Sequence, residues 1–211
     1  MSRRQYYAII PAAGRSRRMG QSKLLLPWPH RSNRKWTVID QVLSAWTSSD
    51  VNSTIVVVRK GDEALRAICE NWPVSIVQPK RDPIDMKESL QIGFDRLASE
   101  WTDASTTHCF VAPADSPALT SRIINAIIHA RNGDDRIVVP RFGNRNGHPT
   151  LIPWGLMNEI SHLAPDQGVN AIVDRHAKQY VELPAVDFVG DIDTPEDYER
   201  LFSASERKLS S

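Results

Sequence analysis

The chain is predicted to be α/β: a mostly parallel sheet with helices on both faces, three layers in all. Three observations predict this. Short apolar runs rich in β-formers alternate with amphipathic helical patterns along most of the sequence. The first run, Tyr6-Tyr7-Ala8-Ile9-Ile10, is continuously apolar rather than alternating, the pattern of a strand buried on both sides. At 211 residues the chain is also short enough for one hydrophobic core, so one domain is expected over residues 1–202 with a frayed tail at 203–211.

After Tyr6–Ile10, the runs Thr54–Val58, Val74–Val77, Cys109–Ala112 and Arg136–Val139 read as further strands. Helical patterns lie between them at Val38–Trp46, Glu63–Asn71, Met86–Ala98 and Ser121–Ala130. In the third, Met86, Leu90, Phe94 and Leu97 recur at helical spacing and form one apolar face. The rhythm changes after Pro140. Arg141–His148 holds two glycines, two asparagines and two arginines, the composition of a loop, before Pro149–Ile152 resumes as an extra strand. This predicts a small additional β lobe, covered by helical stretches near Trp154–His162 and Gln167–Arg175. Thr194-Pro195-Glu196-Asp197 supplies an N-cap, a proline at the first helical position and acids in the first turn, so a last helix should run to about Phe202.

Composition excludes several classes. Twenty-six Lys and Arg oppose 25 Asp and Glu, so no global field draws nucleic acid or an anionic membrane, and any anion site must be local. No apolar run reaches the length of a membrane span and the amino-terminal residues lack a signal-peptide core, which points to the cytoplasm. Cys69 and Cys109 have no ligand-spaced partners and read as buried thiols.

The local exception in charge directly follows the first strand. Residues 14–23 carry Gly14, Gly20 and four cations, Arg15, Arg17, Arg18 and Lys23, with Arg31, Arg34 and Lys35 further on. Glycines permit close approach and positive φ, so main-chain amides of such a loop can cradle phosphate oxygens while the cations add the charge a triphosphate requires. Neither a dinucleotide fingerprint nor a P-loop fits the spacing, and a solvated basic turn is the competing reading. Asp115 ends the apolar run at residues 110–113 and should stand at the carboxyl edge of a central strand. It is either a Mg²⁺ ligand or a turn aspartate before the helix that starts at Thr120-Ser121.

The run Pro11-Ala12-Ala13-Gly14-Arg15-Ser16-Arg17-Arg18-Met19-Gly20-Gln21-Ser22-Lys23-Leu24-Leu25-Leu26-Pro27 resembles the signature of the molybdenum-cofactor branch of the MobA-like nucleotidyltransferases. The resemblance implies a Rossmann-like fold of the nucleotide-diphospho-sugar transferase kind. It also implies a loop (Ala12, Ala13, Gly14, Arg15, Ser16, Gly20) that holds a nucleoside triphosphate, with Arg18 and Lys23 on its phosphates. By the same resemblance Asp115-Ser116-Pro117 is the metal station, and Asp191-Ile192-Asp193-Thr194-Pro195 supplies a second ligand for Mg²⁺, Asp193 with Asp191 as the alternative.

Gly147-His148-Pro149 is similar to the acceptor segment of the cytidylyl subgroup and, with Ala13, implies CTP rather than GTP. His148 either contacts the acceptor or anchors a turn. Gln78-Pro79 and Met86–Leu90 are similar to a stretch that approaches the nucleotide, which makes Pro79 and Ser89 candidates; for Ser89 the alternative is an ordinary exposed helix serine. The implied reaction is cytidylyl transfer to the terminal phosphate of molybdopterin with release of pyrophosphate, followed by a handover to a molybdoenzyme or its chaperone. Guanylyl transfer, a sugar or polyol phosphate as acceptor, and a non-catalytic nucleotide binder are the alternatives. The sequence departs from the family pattern at Gln78, Asp85, Ser116 and Asn146, and the basic stretch Pro29–Thr37 is longer than expected. These departures bear on the acceptor more than on the nucleotide.

Overall fold

The structure, a computed structural model, describes residues 4–32, 35–99, 106–131, 135–188 and 190–210. In chain order its elements are β1 (Gln5–Pro11), α1 (Val38–Thr47), β2 (Ser53–Val57), α2 (Glu63–Cys69), β3 (Ser75–Val77), α3 (Met86–Ala98), β4 (Thr107–Val111) and α4 (Ser121–Ala130). The second half adds β5 (Ile137–Phe142), β6 (Arg145–Asn146), β7 (Thr150–Pro153), α5 (Trp154–Met157), α6 (Asn170–Arg175), β8 (Lys178–Leu183) and α7 (Pro195–Ser210).

All strands join one sheet. β3, β2, β1 and β4 are parallel neighbours in that order. β7 then runs antiparallel to both β4 and β5, β6 hairpins back onto β5, and β8 pairs β5 in parallel. The extra β structure expected after Pro140 is therefore present, as a continuation of the main sheet.

Two cores, one per face, follow from the twofold alternation of strand side chains. Tyr6, Ala8 and Ile10 of β1 enter one core with α1 and α4; Tyr7 and Ile9 enter the other with α3 and Trp154, Met157 and Ile172. Ile123, Ile124, Ile127 and Ile128 form the buried stripe of α4, and each such side chain contributes roughly 1.5–3 kcal/mol relative to an exposed position. On the opposite face α3 lies close to the sheet because of Gly93: a Cβ there would stand 2.4 Å from Ile9 Cγ2.

Helix starts follow their caps. Thr37 and Asp40 form a reciprocal capping box on α1, Asp62 and Asp85 cap α2 and α3, and Thr120 caps α4. α3 and α4 have the bounds their periodicity predicts. Trp154–His162 is a single α-turn followed by a 3-10 turn from Asn158, and the helix within Gln167–Arg175 begins only at Asn170.

The last helix does not end near Phe202 as expected: α7 continues through the segment expected as a tail to Ser210. Ser203–Leu209 contains neither glycine nor proline, and Arg207 and Lys208 lie in the last turn, where cations favour the helix dipole. The edge strand β8 was not anticipated; only Val181 in it is fully buried, so its apolar signal is weak. Cys69 and Cys109 are buried free thiols, as expected.

Candidate active site

The carboxyl edge of the parallel strands is where the chain concentrates charge, as open α/β sheets dictate. β1 delivers the loop from Ala12. Within it, Ser16 adopts φ 47° and Gly20 φ 67°, so the chain doubles back twice in the left-handed region, once on a non-glycine residue. Such a conformation is sparsely populated and needs local support. Support comes from the serine itself: its Oγ accepts from the Lys23 amide at 3.2 Å, and its carbonyl accepts from the Met19 amide at 2.9 Å. The hairpin-like turn aims Lys23 across the sheet edge.

Lys23 is the hub of the site. Its Nζ donates to Asp115 Oδ2 and to the Ile192 carbonyl at 2.7 Å, and lies 3.7 Å from Asp193 Oδ1. Arg18 donates to the same Asp193 oxygen at 2.8 Å. The Ile192 amide donates back to the Asp115 carbonyl at 3.0 Å, tying the segment before α7 to the end of β4. Lys23 thus meets Asp115, 92 positions away, and Ile192, 169 positions away, at one point. Asp115 sits in a turn ahead of α4, which Thr120 caps, and its carboxylate faces Lys23.

Asp191 faces elsewhere. Its carboxylate accepts from the Ser116 hydroxyl, and burial, opposed by that hydrogen bond, pushes its pKa up, with Asp115 and Asp193 adding to the rise. Asp193, not Asp191, shares the lysine with Asp115.

Three concavities are lined by neighbouring segments, and Arg18, Lys23, Asp115 and Asp193 line none of them. The first, about 340 Å³, is lined by Pro11, Ala13, Gly14, Arg15 and Ser16 on one side and by Asp82–Met86 and Ser89 on the other. Arg15 bridges its two walls through an ion pair with Asp82. Ser89 is 3% exposed and donates to the Asp85 carbonyl at 3.1 Å, so it is a buried lining residue rather than an exposed helix serine. The second, about 310 Å³, runs along Gly14–Ser16, Gly20–Ser22 and Arg59.

The third, about 270 Å³, lies beyond the hub and is mostly apolar: Met86, Val111, Pro113, Val169 and Val173, with His148, Thr150 and Asp191 at its polar edge. His148 Nδ1 is buried and finds no hydrogen-bond partner among the described residues. Gly147 is held by its amide, which donates to the Pro140 carbonyl at 2.9 Å; a Cβ there would meet the Phe142 ring at 2.6 Å. Pro149 is buried and follows a cis peptide bond.

Of the residues singled out in the sequence, Pro79 lines none of these cavities, and its neighbour Gln78 hydrogen-bonds the Arg59 carbonyl instead. Arg31 and Lys35 are exposed and line none either, while Arg34 lies outside the described residues, as does the side chain of Arg17. Sequence reasoning missed Arg59, Asp82, Ile84 and the Gly168–Val173 wall. Arg59 was findable, since it follows a predicted strand at the same sheet edge as Asp115.

Among the described residues no three His, Cys, Asp or Glu side chains gather as a metal cage. Two carboxylates do gather, Asp115 and Asp193, around the cationic Nζ of Lys23. A carboxylate pair suits Mg²⁺, which takes one or two from a protein and completes its shell with phosphate and water. The donor set fits the ion.

Comparison with known proteins places the chain in a family. The chain is 25% identical to the molybdenum cofactor cytidylyltransferase of Escherichia coli over 190 residues, covering 90% of this chain and 92% of that one. It is 24% identical to a probable molybdenum cofactor guanylyltransferase of Mycolicibacterium paratuberculosis, over 95% and 96% of the two chains. Rv0371c of Mycobacterium tuberculosis, solved in complex with manganese, superposes with a TM-score of 0.75 at 24% identity, covering 95% of this chain and 99% of the other. The family model that describes the MobA-like NTP transferase domain matches residues 8–180, a span that takes in the loop, Lys23 and Asp115 and ends before Asp193, and the chain belongs to this family of nucleotidyltransferases.

Proposed function

We propose that the protein transfers a cytidylyl group from CTP to the terminal phosphate of molybdopterin and releases pyrophosphate. The observation that carries this reading is the convergence of Lys23 and Arg18, from the loop after β1, on Asp115 and Asp193 at the far ends of β4 and of the segment before α7. The loop cations match a triphosphate and the two carboxylates match its divalent ion. The apolar third cavity with His148 at its edge suits a ring-bearing acceptor, delivered next to the reacting phosphorus. Similarity to the E. coli cytidylyltransferase supports CTP and molybdopterin.

No protein nucleophile is required. An oxygen of the acceptor phosphate, already anionic near neutral pH, forms a bond to the α-phosphorus in line with the bond to the β-phosphate oxygen, which breaks as pyrophosphate leaves. Arg18 and Lys23 offset the charge of the triphosphate, and the residues around Ser16 and Ser89 hold the nucleotide still, so the chain's contribution is positioning and charge stabilisation. Asp115 and Asp193 would hold Mg²⁺, which supplies further charge neutralisation at the phosphates. In this reading the protein works in the cytoplasm and hands its product to a molybdoenzyme or its chaperone.

The test mixes protein and Mg²⁺ with each nucleoside triphosphate and with molybdopterin or simple sugar and polyol phosphates, and measures pyrophosphate. CTP with molybdopterin should give the fastest release. No pyrophosphate from any pair would remove the catalytic reading and leave a nucleotide binder. Guanylyl transfer is the second reading, favoured by likeness to the mycobacterial protein, and faster release from GTP would establish it.

A further inference from the structure

We infer that Lys23 is a resident cation that holds the metal position until the triphosphate arrives, so that the divalent ion and the nucleotide enter the site together. The inference rests on the proposed nucleotidyl-transfer reading and assigns Lys23 a second task within it.

The geometry is that of a cation site already filled. Three oxygens surround Lys23 Nζ: Asp115 Oδ2, the Ile192 carbonyl at 2.7 Å and Asp193 Oδ1 at 3.7 Å. Carboxylate and carbonyl oxygens are the hard donors that Mg²⁺ and Mn²⁺ also select. The side chains of Lys23 and Asp115 are only 18% and 15% exposed, so the pair is weakly screened and the ammonium is not a passing surface contact. A divalent ion placed on the same two carboxylates would stand against this ammonium at contact distance, where like charges repel strongly. The carboxylates cannot serve both cations well. An ammonium bonded to Asp115 also cannot point its charge at a phosphate.

A triphosphate resolves the conflict. Its oxygens give Lys23 a more highly charged partner than a carboxylate, and as the ammonium moves to them Asp115 and Asp193 are released to a divalent ion that the phosphates also bind. The arrangement makes nucleotide-free protein a poor metal binder although both ligands are preassembled. Arg18 does not provide the same block, because it is 70% exposed and, among the described residues, pairs with Asp193 and not with Asp115.

The test is Mn²⁺ binding to the full-length protein without nucleotide, followed by electron paramagnetic resonance, with wild type compared with Lys23→Met and Lys23→Arg. Methionine keeps much of the side-chain length and removes the charge, while arginine keeps the charge. Lys23→Met should bind Mn²⁺ at least about tenfold more tightly than wild type, the order of effect that losing one adjacent like charge produces. Lys23→Arg should stay weak, and Lys23→Met combined with Asp115→Asn should lose the gain. Thermal unfolding of each variant confirms that the fold is kept, and Lys23→Ala serves as a second neutral variant should the methionine variant not fold. Equal or weaker Mn²⁺ binding by the folded neutral variant overturns the inference even if wild type releases pyrophosphate. Tighter binding by the neutral variant with no pyrophosphate from wild type would sustain the placeholder and sink the transfer reaction.

Discussion

The two sides of the sheet's carboxyl edge are built from different material. On the side proposed for the nucleotide, Arg15, Arg18 and Lys23 come from one loop of nine residues and meet Asp82, Asp115 and Asp193 in ion pairs. On the side proposed for the acceptor, the cavity draws one or two residues each from α3, β4, β7, α6 and the 147–149 segment, and most of its lining is apolar. One side is a charge pattern borne by a contiguous motif, and the other is a shape assembled from distant pieces. In the proposed reading, the contrast teaches that a triphosphate, defined by charge, would be recognised by local sequence, whereas an acceptor defined by its ring system would be recognised by where the fold happens to leave space.

The largest test of that contrast is Asp115→Asn. The amide removes one of two candidate metal ligands and the main partner of Lys23 at once, and should lower Mg²⁺-dependent pyrophosphate release by on the order of 10²–10³-fold, the range for losing one preorganised electrostatic group. Circular dichroism should show the fold unchanged, since the amide is isosteric with the carboxylate and the backbone bond from Ile192 to the Asp115 carbonyl is kept. Activity within threefold of wild type would take Asp115 out of the site.

The next prediction concerns the amino end of the same strand, far from either substrate. His108 is 1% exposed, and burial, with the charge of Arg131 adding to it, pushes its pKa down to about 4. The unfolded chain binds a proton at an ordinary histidine pKa near 6.5, so between about 6.5 and about 4 it holds the proton that the folded chain refuses. Stability attributable to His108 is therefore intact above about pH 6.5 and falls as pH drops to about 4, by about 3 kcal/mol in total. Urea titrations across that window should show His108→Leu losing less stability on acidification than wild type. Identical slopes would mean that the imidazole is solvated or paired.

How legible these features were follows from their physics. The strands β1, β2 and β4 announce themselves because burial on both faces forces continuous apolar runs, and α3 and α4 because their stripes and caps agree. The phosphate loop was legible because Gly14 to Lys23 is contiguous, and the pairing of Asp115 with Asp193 only through family resemblance, since nothing local in either segment reports the other. β8 was not legible: an edge strand with Lys178, Tyr180 and Glu182 on its more open face carries little apolar signal. The Gly168–Val173 wall escaped because a half-buried helix of six residues looks the same whether its apolar face meets a core or a cavity.

Gly93→Ala is the third test and probes the scaffold that both sides share. The new methyl would meet Ile9 Cγ2 at 2.4 Å, so α3 must lift from β1 or Ile9 must leave its rotamer. Overpacking of this kind costs about 1–3 kcal/mol. Because α3 carries Ser89 and Met86 into the first and third cavities respectively, the change should raise the Michaelis constants of both substrates modestly while lowering the urea midpoint. A stability loss with no kinetic effect would show that α3 can move without disturbing either cavity.

The smallest expected effect separates the two sides most cleanly. Val169 lines the third cavity and neither of the two around the loop. Val169→Asp places a negative charge beside an anionic acceptor at a half-buried position, where one added repulsion of this kind amounts to roughly tenfold in affinity. The acceptor's KM should rise by about that factor, with the KM for CTP unchanged. The comparison breaks if both constants rise together, for then the apolar cavity serves the nucleotide as well, and the ring it was shaped for is the base of the donor rather than the acceptor.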